Sequence, residues 1–312
     1  MFIIQNILKK FMNKNNNPLV TVGIPVFNGE KFIKRRLDSI LNQTYNNFEI
    51  IISDNASTDD TSKICQNIIN DEENIHYHLQ KKNIGYISNF NFLIKNASGK
   101  YFVMAGVDDL WDPTFLEKNV KILEVNENVV GSIGAVKMFG HSGNLPKTSK
   151  LILKLKKIIR KQNVDILEKH VMSSKGDFNK KVDSYLRFNQ GSFCYGLFRT
   201  NLVQKNIIPG PLASWDLVFI LNILKFGDLH VIDEVLFHKF AEGLSGSSGI
   251  IKQYKRNEIP FYDFMIPNFS FFKWSFVNLG FLFCLRNIDW FILLTIHGEY
   301  AILKEIISSK YK

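Results

Sequence analysis

The chain has 312 residues, 46% hydrophobic and 22% charged, which is enough apolar surface to bury a sizeable core and too much for wholesale disorder. Its 39 Lys and Arg against 29 Asp and Glu give a net charge of +10, suited to an anionic partner; the excess sits on no recognisable nucleic-acid module, so nucleic acid is set aside. Cys65, Cys194 and Cys284 are too far apart for a disulfide framework or a metal cluster, and the start of the chain lacks the features of a secretory signal, so a reducing, cytoplasmic location is expected.

Residues 1–17 form a first segment in which Ile4, Ile7, Leu8 and Phe11 share one helical face beside Lys9, Lys10 and Lys14, a pattern compatible with lying on an anionic membrane surface. From Leu19 the pattern is regular. An apolar run to Val26 reads as a strand, Asn28-Gly29 as a turn, and Phe32, Ile33, Leu37, Ile40 and Leu41 recur at helical spacing. The unit repeats as strand Phe48–Ser53 with helix Thr61–Ile69, and strand Ile75–Leu79 with helix Ser88–Asn96; Tyr101–Val107 is a further buried strand. Continuous apolar strands alternating with helices imply a mostly parallel sheet covered on both faces.

After Asn126 a Gly- and Lys-rich stretch follows without a clean linker, so residues 18–249 read as one domain, with a first half to 126 and a second from 127. Residues 250–312 form an aromatic-rich helical extension whose uncharged run, Trp274–Leu285, is too short to span a bilayer; it suits either an interfacial role or packing on the domain.

In an open parallel sheet, ligands collect beyond the carboxyl ends of the strands. The first strand ends in Pro25-Val26-Phe27-Asn28, the second in Asp54-Asn55 and the fourth in Asp108-Asp109. A carboxylate at the end of the Ile-rich second strand can accept an N–H from a ligand, whereas Ser57 and Asp59 suit the capping of the next helix. Of two adjacent acids, one can be a hard oxygen ligand for Mg²⁺ or Mn²⁺ while its neighbour caps the following turn.

In order, the chain carries Val22-Gly23-Ile24-Pro25-Val26-Phe27-Asn28-Gly29-Glu30, Leu37-Asp38-Ser39-Ile40-Leu41-Asn42-Gln43-Thr44, Phe48 through Asp59, Asn83-Ile84-Gly85 with Asn91, and Ala97-Ser98-Gly99-Lys100-Tyr101. On these motifs the segment from Leu19 to about Leu123 resembles family 2 glycosyltransferases of the GT-A fold. The resemblance implies an α/β sheet of Rossmann-like type, an inverting transfer and a nucleotide-diphosphate sugar as donor, UDP-linked above others. It also implies a glycan or lipid-linked acceptor in surface polysaccharide synthesis and a divalent metal, Mg²⁺ or Mn²⁺. The implied donor site comprises Pro25, Val26, Phe27, Glu30, Asp54, Asn55, Gly85, Asn91, Asp108 and Asp109, with Asp54 on the base and Asp108 on the metal. The family's DXD motif reads Gly106-Val107-Asp108 here, its first acid replaced by glycine.

Further on, Ser214-Trp215-Asp216-Leu217 before the apolar stretch Phe219–Phe226 resembles the segment that supplies the base, which points to Asp216; the same residue suits a helix N-cap, and the two roles are compatible. His238 and Lys239 occupy the region from which the family meets the diphosphate, and Gln190-Gly191-Ser192-Phe193 lies near the acceptor by the same likeness. No G-x-G-x-x-G follows the first strand, which argues against a dinucleotide enzyme. A non-catalytic sugar-nucleotide-binding relative is the alternative that the altered DXD leaves open.

Overall fold

A computed structural model of the chain describes residues 17–69, 72–140, 171–188, 191–241, 243 and 249–310. The amphipathic face expected over residues 4–11 and the basic cluster between Lys147 and Lys161 lie outside the described residues.

The first half is the alternation expected: β1 (Val20–Val26), α1 (Ile33–Leu41), β2 (Phe48–Asp54), α2 (Thr61–Ile69), β3 (Ile75–Leu79), α3 (Tyr86–Asn96) and β4 (Tyr101–Met104). Every residue of β1 and β4 is buried, because helices cover both faces and leave no polar face to alternate with the apolar one. After the two-residue β5 (Leu110–Trp111) come α4 (Phe115–Val125), β6 (Val129–Phe139), α5 (Phe178–Phe188), a 3-10 turn at Ser192–Tyr195, β7 (Leu197–Arg199), α6 (Thr200–Lys205), α7 (Trp215–Leu224) and β8 (Asp228–Phe240). The chain closes with α8 (Ile250–Arg256), α9 (Tyr262–Met265), α10 (Phe269–Leu279), α11 (Phe281–Arg286) and α12 (Ile288–Lys310).

The strands form one eight-stranded sheet ordered β3-β2-β1-β4-β7-β6-β8-β5. Its β3-β2-β1-β4 half is parallel throughout, whereas β7 runs antiparallel to both β4 and β6, and β5 antiparallel to β8. The chain moves outward from β1 to β3 and then returns to the other side of β1 as β4. Strand order therefore reverses at β1 and β4, and the crevice at their carboxyl ends is where such a sheet opens to a ligand.

The C-terminal helices are joined to the domain by a buried aromatic cluster. Phe271 is fully buried against Trp274, Trp290 and Phe291, and Trp290 donates its indole N–H to the carbonyl of Leu186 at 3.1 Å. Burial of each such side chain contributes on the order of 2 kcal/mol, so this packing holds the extension against the domain. The same helices nevertheless leave Phe276, Phe281, Leu282 and Leu285 exposed, and no helix among the described residues is long and apolar enough to cross a membrane.

Candidate functional site

A cavity of about 480 Å³ opens at the carboxyl ends of β1, β2 and β4. Pro25, Val26 and Phe27 enter it from β1, Asn55 from β2, Gly106, Val107 and Asp108 from β4, Trp215 and Asp216 from α7, and Lys239 from β8. The C-terminal helices complete the wall through Gln253, Tyr254, Asn268 and His297 among others. Strands five places apart in the sheet, β2 and β8, and some 270 residues of sequence thus meet at one hollow.

The loops after β1 and β2 are stitched together. Asn28, at a left-handed φ of 54°, receives Thr58 N–H on its Oδ1 at 2.8 Å and donates its own N–H to Ser57 Oγ at 2.9 Å. Glu30 Oε2 accepts Asp60 N–H at 3.1 Å, and Glu30 N–H donates to Asp59 Oδ2 at 3.1 Å. Asp54 is fully buried, its Oδ1 accepting Ser57 N–H at 2.8 Å and its Oδ2 accepting the Tyr77 hydroxyl at 2.7 Å. Asn55, next in sequence, reaches the cavity and is oriented by Asn83 Oδ1 at 2.9 Å and Ile84 N–H at 2.8 Å. Of the first cluster of candidates, then, Pro25, Val26, Phe27 and Asn55 line the cavity, while Asp54 and Glu30 shape the loops that carry them.

Gly85 starts α3 at a φ of 80°, and Asn91, further along that helix, exchanges hydrogen bonds with the backbone of Ile208, N–H donor at 2.8 Å and acceptor at 3.3 Å. Neither is among the residues lining the cavity.

The two acids after β4 part company. Asp108 lines the cavity. Asp109 turns inward, 4% exposed, and accepts Phe240 N–H on Oδ1 at 2.9 Å. Burial, reinforced by the neighbouring charge of Asp108, pushes the Asp109 carboxyl up to about 7. A Cβ on Gly106 would lie 2.8 Å from Asp109 Oδ2, so a side chain at this place of the DXD motif would press on that inward carboxylate.

Beneath them Arg36 is fully buried, its guanidinium 3.9 Å over the Trp111 ring, with Nη1 donating to the Asp109 carbonyl at 3.1 Å. Burial lowers it to about 9, with the charges of Asp109 and Asp108 opposing the shift. No motif singles out Arg36, yet it falls in register with Ile33, Leu37 and Ile40 on the buried face of α1, and that register is the signal in the sequence for its burial.

Asp216 lies in the first turn of α7, whose preceding residue, Ser214, holds a left-handed φ of 57° and donates its hydroxyl to Asn268 Oδ1 at 2.6 Å. Burial raises the Asp216 carboxyl above the usual carboxylate range, with the helix N-terminal amides and the charge of Lys239 opposing. Lys239 reaches the same space, 5.8 Å over the Tyr195 ring and 3.4 Å from Ser192 Oγ. Successive residues of a strand face opposite ways, so with Lys239 in the cavity His238 is directed away from it, toward Asp112, and burial lowers its pKa. Tyr86, packed at 5.3 Å on Trp215, forms a wall that no sequence motif announced.

Among the described residues no group of three or more His, Cys, Asp or Glu is placed to hold a metal ion. Of the acids after β4 it is Asp108 that lines the cavity, and a Cβ on Gly243 would collide with its Oδ2, so glycine at 243 leaves room for that carboxylate. One carboxylate fits Mg²⁺ or Mn²⁺, which take one or two protein oxygens and complete their shell with phosphates and water, and does not fit a cage built by protein alone.

A parallel half-sheet whose strand order reverses at β1 and β4, with Asp108 lining the crevice that opens there, makes this an α/β protein with its ligand site at the switch point. The chain belongs to glycosyl transferase family 2, whose model matches residues 21–183, just over half of its length. It is 38% identical over 114 residues to an uncharacterized glycosyltransferase of Haemophilus influenzae, and 39% identical over 112 residues to one of Rickettsia prowazekii. Each match covers 36% of this chain, and 35% and 34% of those proteins, so the chain aligns with about a third of the length of these curated relatives. Among solved structures, S. aureus TarS (residues 1–349) in complex with UDP-GlcNAc is similar in fold, with a TM-score of 0.54 and 20% identity over 76% of this chain and 63% of that one.

Proposed function

We propose that the chain transfers a hexose from a nucleotide-diphosphate sugar, UDP-linked, to a hydroxyl of a glycan or lipid-linked acceptor in surface polysaccharide synthesis, inverting the anomeric centre. The observation that carries this reading is that Asp108, Lys239 and Asp216 face one cavity whose floor is the carboxyl end of a parallel half-sheet. The choice of UDP rests on fold likeness to the UDP-GlcNAc-bound neighbour, an analogy rather than a site argument.

In this reading Pro25, Val26, Phe27 and Asn55 receive the nucleoside, and Asp54 acts on it through the loop it anchors. Asp108 and Lys239 meet the diphosphate. Bound there, Mg²⁺ or Mn²⁺ would be held by Asp108 and would offset charge as a Lewis acid. Lys239 lies where it can offset negative charge on the departing diphosphate in a site partly closed to water. Asp216 accepts the acceptor hydroxyl proton as that oxygen bonds to the anomeric carbon and the bond to the nucleotide breaks; its raised pKa makes it a better proton acceptor than a solvated carboxylate. The residues assigned to donor and base come from different elements, Asp108 from the end of β4 and Asp216 from α7, which suits attack from the face opposite the leaving group.

The exposed apolar side chains of the C-terminal helices and the net positive charge support work at the inner face of an anionic membrane. The glycine at position 106 supports one rival, a sugar-nucleotide-binding relative without turnover. Release of free nucleotide from UDP-, GDP- and dTDP-sugars, each with and without Mn²⁺ and an acceptor extract, separates the two: binding of a donor with no acceptor-dependent release would sink the transferase reading.

A further inference from the structure

The chain beyond residue 249 gives the main cavity a wall unlike the rest of it. Ile250, Gln253, Tyr254 and Asn257 recur at spacings of three and four, so they share one side of α8 and the residue that caps it, while Lys252, Lys255 and Glu258 fall on the outer side and are exposed. Leu294, His297 and Gly298 make the matching stripe of α12, whose other side, through Ile292 and Ile296, borders a separate apolar hollow. The two helices are fixed to each other. Glu305 Oε2 on α12 accepts Ile251 N–H at 2.9 Å, and a Cβ on Gly249 would collide with that same carboxylate.

This wall is polar without being charged. Among the described residues from 249 to 310, no Asp, Glu, Lys or Arg lines the cavity; what lines it are the amides of Gln253, Asn257 and Asn268 and the imidazole of His297, interleaved with Ile250, Tyr254 and Leu294. The charged groups of the cavity, Asp108, Asp216 and Lys239, all stand on other elements. A phosphate, carboxylate or ammonium lodged against the C-terminal wall would lose water and gain no opposite charge, which is unfavourable. An amide offers an acceptor and two donors, so amides spaced by apolar side chains suit a molecule whose hydroxyls alternate with C–H faces, as in a sugar ring. Asn257 Oδ1 is moreover shielded from solvent with no hydrogen-bond partner among the described residues, an acceptor whose need a ligand hydroxyl would meet.

The wall is also joined to the segment that carries Asp216. The Ser214 hydroxyl donates to Asn268 Oδ1 at 2.6 Å, Ala213 N–H donates to Ser270 Oγ at 3.2 Å, and Ala213 packs in one buried cluster with Tyr254 and Ile259. We infer that Gln253 and Asn257, with His297, form the acceptor subsite and that they select an uncharged sugar unit to present its hydroxyl to Asp216. The inference rests on the transfer reading above for the role of Asp216 and narrows its acceptor. These residues lie beyond the stretch 21–183 that the family model matches, so the selectivity belongs to this chain's own C-terminal helices.

The test is saturation-transfer NMR at pH 7 on the full chain saturated with UDP and Mg²⁺. Methyl glucoside, methyl galactoside and methyl mannoside are the neutral probes, and methyl glucuronide and methyl glucoside 6-phosphate the charged ones. At least one neutral probe should receive saturation, at five times or more the level of either charged probe. Gln253→Leu/Asn257→Leu should cut that signal at least fivefold, and the milder Gln253→Ala at least twofold, which keeps the test intact if the pair unfolds. Lys252→Ala, on the outer side of α8, should leave it unchanged. Equal signals from neutral and charged probes would overturn the class of ligand. No signal from any neutral probe, or a native signal in a folded wall variant, would overturn the site. UDP affinity is titrated in parallel: glycoside binding absent with UDP bound normally rejects only this inference, whereas a native chain that binds no nucleotide rejects the transfer reading.

Discussion

A Cβ placed on Gly191 would lie 2.5 Å from Oδ2 of Asp216, so the base proposed for the reaction sits against bare backbone. Gly191 also holds a left-handed φ of 80°, which adds strain for any other residue. Gly191→Ala should displace the carboxylate and cut kcat at least about tenfold while leaving UDP affinity unchanged, because positioning of a reacting group is steeply distance-dependent. Steady-state kinetics beside nucleotide titration checks this; full activity in the variant would show that Asp216 needs no fixed place.

The structure makes Ser214, not Asp216, the N-cap of α7; Asp216→Asn keeps size and can still accept the first-turn amides but cannot accept the proton. We expect kcat to drop at least about 10²-fold with donor affinity and melting temperature near native. Because burial raises the Asp216 carboxyl, the acid limb of kcat/KM in the native chain should lie above the usual carboxylate range, and activity should rise with pH through it. Asp233 and Glu234 offer no substitute: both are exposed on β8, neither lines the cavity, and Glu234 pairs with Lys118. An acid limb at pH 4 or below would contradict the assignment.

Asp109 couples folding to pH. Its folded pKa, about 7, stands above the unfolded value of 3.8, so the folded state holds the proton more tightly. The stability it contributes is full below about pH 4 and is lost as pH rises through about 7. Asp109→Asn removes that loss, so urea unfolding at pH 5, 6, 7 and 8 should find the variant gaining on the native chain up to about pH 7 and holding level above it. A difference independent of pH would mean that Asp109 is ionised throughout in the folded protein.

Asp108→Asn should weaken donor binding chiefly in the presence of Mn²⁺, since it removes the carboxylate proposed for the metal and not the nucleoside contacts. Gly106→Asp, which restores the family's acid, should lower melting temperature instead of strengthening metal binding, because its Cβ meets Asp109. Calorimetric titration of UDP with and without Mn²⁺ decides: equal loss in both conditions for Asp108→Asn would remove the metal role.

Much of the half-sheet was legible in the sequence because its signals are local. Apolar runs of five to seven residues between helical periods report a strand buried on both faces, and strand ends then mark where a ligand sits. The family motifs likewise lie within single loops. What the sequence alone left open was which side chain of each neighbouring pair faces inward. Asp108 and Asp109 read alike, as do His238 and Lys239, and their fates are set by the pairing of β8 with β6 and β5, which turns Lys239 inward and brings Phe240 N–H to Asp109. Asp54 and Glu30 read as ligand contacts, but their partners, Tyr77 and Asp60, are supplied by the crossing of distant loops.

The sequence by itself determined the class of the protein, the parallel half-sheet and the strand ends at which its chemistry gathers, because periodicity and motif spacing are properties of contiguous residues. Only the tertiary structure decided that the last sixty residues wall the same cavity as Asp108 and Asp216, and that one helix, α12, borders two hollows at once. Those are matters of packing between segments far apart in the chain, as Trp290 is from Leu186, where the aromatic pattern from Phe269 to Phe291 suits a membrane, a core or both, and burial of Phe271 and Trp290 against the domain with exposure of Phe281 and Leu282 makes it both apolar core and apolar surface.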